Sequence, residues 1–103
     1  MSTKKSAAVR FLENLRGSPL TFGGLIESLR TTDEISQVFL AKKLGISKAH
    51  LCDIEKGRRL VSAERAAKFA DALDYPREIF VSIALQEQLD RAKLKLKITV
   101  EAA

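Results

Sequence analysis

His50 and Cys52 are the only histidine and the only cysteine of this 103-residue chain, and they stand two positions apart. One cysteine cannot close an internal disulfide, and one cysteine with one histidine falls short of a zinc site. No glycine-rich phosphate loop and no paired-acid motif accompanies them. An enzyme is therefore not expected, and neither is a metal or other cofactor. The surrounding residues offer chemistry of another kind. Lys48, Ala49, His50, Cys52 and Asp53 are followed by Lys56, Arg58 and Arg59 around Gly57. Lys48 can donate to guanine acceptors, Ala49 can touch a thymine methyl, and Asp53 can accept from cytosine N4. Asp53 has two other readings: a carboxylate that rejects wrong sequences, or one that pairs with Lys56 or Arg58 and touches no base. Lys56, Arg58 and Arg59 suit a phosphate strand, although a charge run is otherwise a solvated face. His50 reads as a surface or phosphate-contacting side chain. Cys52 reads as a small, partly buried residue rather than a redox sensor.

These residues need a helix with one free face, and residues 36 to 57 supply it. Leu40, Ala41 and Leu44 recur at helical spacing, so one segment has an apolar face. Gly45 ends that helix where a left-handed conformation is required. Ile46 plugs the turn, and Ser47 caps the next helix through its side-chain oxygen. Leu51 and Ile54 bury the second helix, which leaves Lys48, Ala49, Cys52 and Asp53 on its other side. Two short helices joined by a tight glycine-containing turn describe a helix-turn-helix, a DNA-binding module. Its second helix meets base edges with its amino-terminal end, where Ser47, Lys48 and Ala49 stand.

Gln37, Leu40-Ala41, Leu44-Gly45-Ile46-Ser47 and Ile54-Glu55-Lys56-Gly57 stand in an order and spacing that resembles the lambda-repressor/Cro-like (XRE) helix-turn-helix family. The resemblance runs from about Leu20 to about Tyr75. It implies a five-helix domain that lays its third helix in the major groove of double-stranded DNA. It also implies that Gln37 bonds a backbone phosphate from the start of the second helix, where the bland alternative is a solvated glutamine. Arg30 and Glu55 fall where that family places an internal ion pair between the first helix and the recognition helix. Cys52 falls where the family often has serine or threonine. Val38 and Phe39 depart from the family pattern, which usually has polar or acidic residues there. Cover by an extra amino-terminal helix through Phe11, Leu12 or Leu15 would explain them.

The length suits one small domain with a single core. Apolar content of 46% and charged content of 30% argue against wholesale disorder. Nothing approaches a membrane span, and the basic start is too interrupted for a signal peptide. A cytoplasmic protein is expected by elimination. The net charge of +5 is compatible with nucleic acid without being specific for it. Residues 1 to 17 hold four Lys/Arg against one acid, residues 18 to 80 ten against nine, and residues 81 to 103 four against three. The helix-turn-helix is nearly neutral, so any field for DNA comes from local placement and the basic arm. Modest non-specific affinity is expected.

The chain divides into a basic arm with a short amino-terminal helix (1–18), the DNA-binding domain (19–76), and a fifth helix with a terminal strand for dimerisation (77–103). Phe22, Leu25, Ile26 and Leu29 mark the first helix of the domain, and Ser36 caps the second. Ala66, Phe69, Ala70 and Leu73 mark the fourth, and Pro76 suits the first turn of the fifth. On the fifth helix Ile79, Phe80, Ile83 and Ala84 form one stripe, which can close the core. Val81, Leu85 and Leu89 form another, which can meet a second subunit. Leu94, Leu96, Ile98 and Val100 then alternate with Lys95, Lys97 and Thr99, so the period switches from 3.6 to 2. A lone strand cannot satisfy its own backbone, so it must pair with another chain or remain loose. The simplest partner is the same segment of a second copy across a two-fold axis, and a foreign sheet edge is the rival.

The fold expected is all-α: a five-helix domain with an extra amino-terminal helix and a carboxy-terminal strand that pairs between subunits. The function expected is a homodimeric DNA-binding regulator, a repressor reading a pseudo-palindromic operator. The rival is an antitoxin-type protein that binds DNA and neutralises a toxin partner, because small XRE-type proteins with short extensions resemble such antitoxins.

Overall fold

The computed structural model describes residues 21–103, and the arm and helix expected over residues 1–18 lie outside them. The described residues form five helices: α1 Phe22–Thr32, α2 Gln37–Leu44, α3 Lys48–Glu55, α4 Ala63–Leu73 and α5 Arg77–Arg91. Four of them begin the same way. Thr21, Ser36, Ser47 and Ser62 each turn an extended backbone into a helix and accept, through the hydroxyl, from an amide two or three residues inside it. The fifth begins at Pro76, whose fixed φ of −62° leads into α5 without a side-chain cap.

All five described helices end in one motif. At α1 the amides of Glu34 and Ile35 return to the carbonyls of Thr31 and Arg30, and at α5 those of Lys93 and Leu94 return to Asp90 and Leu89. At α2 the amides of Gly45 and Ile46 return to the carbonyls of Lys42 and Ala41. At α3 those of Gly57 and Arg58 return to Ile54 and Asp53, and at α4 those of Asp74 and Tyr75 return to Asp71 and Ala70. Each closure needs a left-handed residue, supplied by Glu34 (φ 56°), Gly45 (φ 75°), Gly57 (φ 77°), Asp74 (φ 62°) and Lys93 (φ 58°). The chain reverses sharply after each, which lets short helices pack around one core.

That core is Phe22, Leu25 and Ile26 of α1, Leu40 and Ala41 of α2, and Leu51 and Ile54 of α3. Val61, Ala66, Phe69 and Ala70, then Phe80, Ile83 and Ala84 of α5, complete it. Phe22 lies at its centre, tilted against Phe69 and edge-on to Phe80 at a centroid separation of 5.7 Å. α5 is therefore a wall of the same core that α1 to α4 share. Val81, read as part of a dimer stripe, packs against this core. Leu85 and Leu89 are half-buried.

The terminal strand is corrected in part. No strand forms among the described residues, and Lys95 adopts φ 57°, which takes it out of any extended run starting at Leu94. A single chain offers that segment no backbone partner, as the alternation itself required. Leu94 and Leu96 are more than half exposed, whereas Ile98 and Val100 are half-buried. Val38 and Phe39 are also exposed, at 57% and 56%. The helix expected to cover them lies outside the described residues.

Candidate nucleic-acid interface

α2 and α3 meet at the turn Gly45-Ile46-Ser47, with Leu40, Ala41, Leu51 and Ile54 buried beneath them. The outer side of α3 is open. Ser47, Lys48 and Ala49 are exposed at its start, although the Ser47 hydroxyl accepts from the His50 amide at 3.0 Å. Three of the aligned amides at that end lack an intrahelical acceptor, so it carries a partial positive charge.

Asp53 does not stand alone on this face. Arg58, brought back by the Gly57 turn, donates from Nε to the Asp53 carboxylate at 3.0 Å and approaches Cys52 Sγ at 3.8 Å. Asp53, Cys52 and Arg58 thus form one cluster on the open side of α3. The pair is exposed, so it sets geometry and cancels charge more than it adds stability. Lys56 and Arg59 are exposed and make no ion pair among the described residues.

His50 lies beside a residue the sequence did not single out. Arg65 Nη1 is 3.0 Å from His50 Nε2 and 3.3 Å from Nδ1. Partial burial, then the charges of Arg59 and Arg65, hold the imidazole pKa below its ordinary value, against a smaller opposite effect of Asp53. A neutral imidazole, which this environment favours, can accept from Arg65. Ser62 caps α4 by accepting from the Arg65 amide, so Arg65 stands in the first turn of that helix. Its place beside His50 depends on the α3–α4 connection and has no local sequence signature.

Behind the open face, Glu55 fixes α3 to its neighbours. Its carboxylate, 2% exposed, accepts from Arg30 Nε at 2.8 Å, from Arg30 Nη2 at 3.1 Å and from Gln37 Nε2 at 2.9 Å. Arg30 Nη1 also donates to the Ile35 carbonyl, so one guanidinium ties α1, the α1–α2 connection and α3. The bond to Glu55 raises the Arg30 pKa above its usual value. Gln37, which the family resemblance assigns to a backbone phosphate, joins this hub. In the free protein one of its amide hydrogens is committed to Glu55, which leaves the remaining hydrogen and the carbonyl oxygen for any second contact.

A second buried carboxylate escaped the sequence reading. Glu87 of α5, 8% exposed, accepts from the Phe22 amide at 2.9 Å and caps the start of α1. It also holds Arg91, whose Nη2 donates to the Gly57 carbonyl at 2.8 Å. Glu87 and Arg91 are spaced i, i+4 on a helix surface, a common pattern that does not announce a buried site. Their partners are 65 and 34 residues away in the chain.

The sequence that builds this arrangement, an open polar helix packed on α1 and α2, matches known families. A family model described as Helix-turn-helix (HTH_3) matches residues 26–80, and the chain belongs to this XRE-type helix-turn-helix family. An uncharacterized HTH-type transcriptional regulator of Mycobacterium tuberculosis, from strains CDC 1551 and H37Rv, is 26% identical over 104 aligned residues. The match covers all of this chain and 74% of that relative. No solved structure matches significantly. The protein is a DNA-binding regulator of the helix-turn-helix class. Among the described residues no helix is long and apolar enough to cross a membrane.

Proposed function

We infer that the protein is a homodimeric repressor that reads a pseudo-palindromic operator by inserting α3 into the major groove. The observation that carries this reading is the contrast between the two sides of α3. One side is buried and locked through Glu55, and the other presents exposed Lys48 and Ala49 beside the Asp53–Arg58 pair. A helix so fixed presents its side chains to base edges with little freedom to wander, which favours sequence discrimination over general adhesion. Lys48 and Ala49 read bases, and Lys56, Arg59 and Arg65 meet phosphates. Ser47 and His50 stand at the rim between the two sets. Two copies would place their recognition helices about 34 Å apart on successive major grooves.

A self-partner is preferred to a toxin because the tail carries both Lys97 and Glu101, charges that a second copy can pair. Selection of bound sequences from a random DNA pool, combined with sedimentation of the free and DNA-bound protein, tests the reading. A selected site with two inverted half-sites one helical turn apart, bound by two chains, is expected. A single asymmetric site bound by one chain would overturn the dimeric operator, and absence of any enriched sequence would overturn sequence-specific repression.

A further inference from the structure

The segment that follows α5 is held by one side chain. Gln86 donates from Nε2 to the Leu96 carbonyl at 2.8 Å and accepts through Oε1 from the Ile98 amide at 2.9 Å. The same Nε2 donates to Asp90 at 2.9 Å. An amide that serves the carbonyl of one residue and the N–H of the residue two positions on does what a neighbouring peptide does in a β-ladder. It engages one edge of the tail, that of the even-numbered residues. In an extended segment alternate residues face opposite edges, so the backbone groups of Lys97, Thr99 and Glu101 face away from Gln86, and they form no backbone hydrogen bond among the described residues. The side chains divide in the same register. Ile98 and Val100 are half-buried, while Lys97, Thr99 and Glu101 are exposed. An unpaired edge on a tethered extended segment is a template for another strand.

We propose that the free edge of residues 96–102 pairs antiparallel with the same segment of a second copy, in the register that sets Thr99 opposite Thr99. This deepens the homodimer reading above and rests on it. Three two-fold placements are close in sequence, and charge and backbone choose between them. Centring on Lys97 sets two ammonium groups directly opposite each other. Centring on Ile98 brings Lys95 opposite Glu101, but the left-handed backbone of Lys95 removes it from the ladder. Centring on Thr99 sets Lys97 of each copy opposite Glu101 of the other, forming two cross-strand ion pairs and one threonine pair. The apolar face then carries Ile98 beside Val100 and Leu96 beside Ala102, which covers Leu96, now 56% exposed. Gln86 serves the outer edge of each strand, so the two-stranded ribbon has no bare edge at its centre.

Charge reversal in the full chain tests the register. Lys97→Glu and Glu101→Lys should each raise the dimer dissociation constant about tenfold by sedimentation equilibrium. The double reversal should restore it to within about threefold. In a Cys52→Ser background, Thr99→Cys should form an intersubunit disulfide on mild oxidation and Lys97→Cys should not, a readout independent of affinity. A dimer indifferent to both single reversals, or crosslinked through position 97 and not 99, would overturn the register and leave the homodimer standing. A chain that stays monomeric at every concentration and on DNA would overturn the homodimer reading as well.

Discussion

Gly23 and Ile54 mark the closest approach of the first helix to the recognition helix. A Cβ on Gly23 would lie 2.0 Å from the Ile54 carbonyl oxygen and 3.0 Å from that of Glu55. The obstacle is backbone on both sides, so no rotamer change relieves it. Gly23→Ala should therefore force α3 away from α1 and destabilise the protein by about 3 kcal/mol, the upper end of overpacking costs. Gly45→Ala is the control. No atom lies within 4 Å of its added Cβ, so only left-handed strain applies, about 1 kcal/mol. Denaturant unfolding compares them, and equal losses would mean that the contact at Gly23 relaxes freely.

The Glu55 hub makes a second comparison. Glu55→Ala leaves Arg30 largely buried without its carboxylate and removes a partner of Gln37, a loss on the order of 3 kcal/mol. Glu64, paired with Lys68 at 3.7 Å on an exposed helix face, should tolerate alanine with almost no change in Tm. Similar small shifts for both would show that Glu55 is not locked in solution.

Much of this architecture was legible in the chain. Serines and glycines at caps and the i, i+3, i+4, i+7 spacing of Phe22, Leu25, Ile26 and Leu29 act locally, so they point to helix ends and faces before any tertiary contact forms. The family spacing around Arg30 and Glu55 directed attention to the hub. Gln37 as a third member, Arg65 beside His50, and the Glu87–Arg91 bridge were not legible. Each depends on how two distant segments dock, and nothing within a few residues of Glu87 separates a buried carboxylate from a solvated one. Gly23 was hidden for a related reason. A small residue on an apolar stripe reads as neutral until the neighbour that touches it is known. The tail misled where Lys95 turns left-handed, because alternating residue types report the preferred face and not the backbone of each residue.

Reading and gripping should separate by mutation. Replacing Lys48 and Asp53 together should change the selected DNA sequence, since Lys48 is exposed at the start of α3 and Asp53 holds Arg58 on the open side of that helix. Arg59→Ala should weaken all sequences alike and lower the salt slope by about one counterion. An unchanged selected site after the Lys48/Asp53 replacement would place the reading face elsewhere.

His50 gives a pH dependence of definite sign. Burial and the facing Arg59 and Arg65 hold its folded pKa below the ordinary value of about 6.5 kept by the unfolded chain. Below that value the unfolded state binds the proton first, so stability falls as the pH drops from about 6.5. Above it the histidine contributes no slope. His50→Gln should flatten the curve between the two pKa values while leaving Tm at pH 8 little altered. An identical decline in the variant would assign the acid sensitivity to carboxylates alone.

Arg91 connects the carboxy-terminal helix to the basic loop that follows α3. Its guanidinium spans from Glu87, which caps α1, to the carbonyl of Gly57, the pivot between Lys56 and Arg58. Arg91→Ala frees that carbonyl and leaves Glu87 without a charged partner, so the loop loses its fixed position against α5. Because Arg91 acts through Gly57, the expected change is a several-fold weaker Kd for every DNA sequence with the salt slope unchanged. Arg59→Ala should instead lower the slope, since it removes a released counterion. Arg91→Lys keeps the pairing with Glu87 but not the rigid fork that reaches two acceptors at once, so it should recover only part of the loss. Measuring Kd against salt for the three variants decides the matter. A reduced slope in Arg91→Ala would mean that Arg91 touches phosphate itself, and unchanged affinity would mean that the loop keeps its place without the bridge.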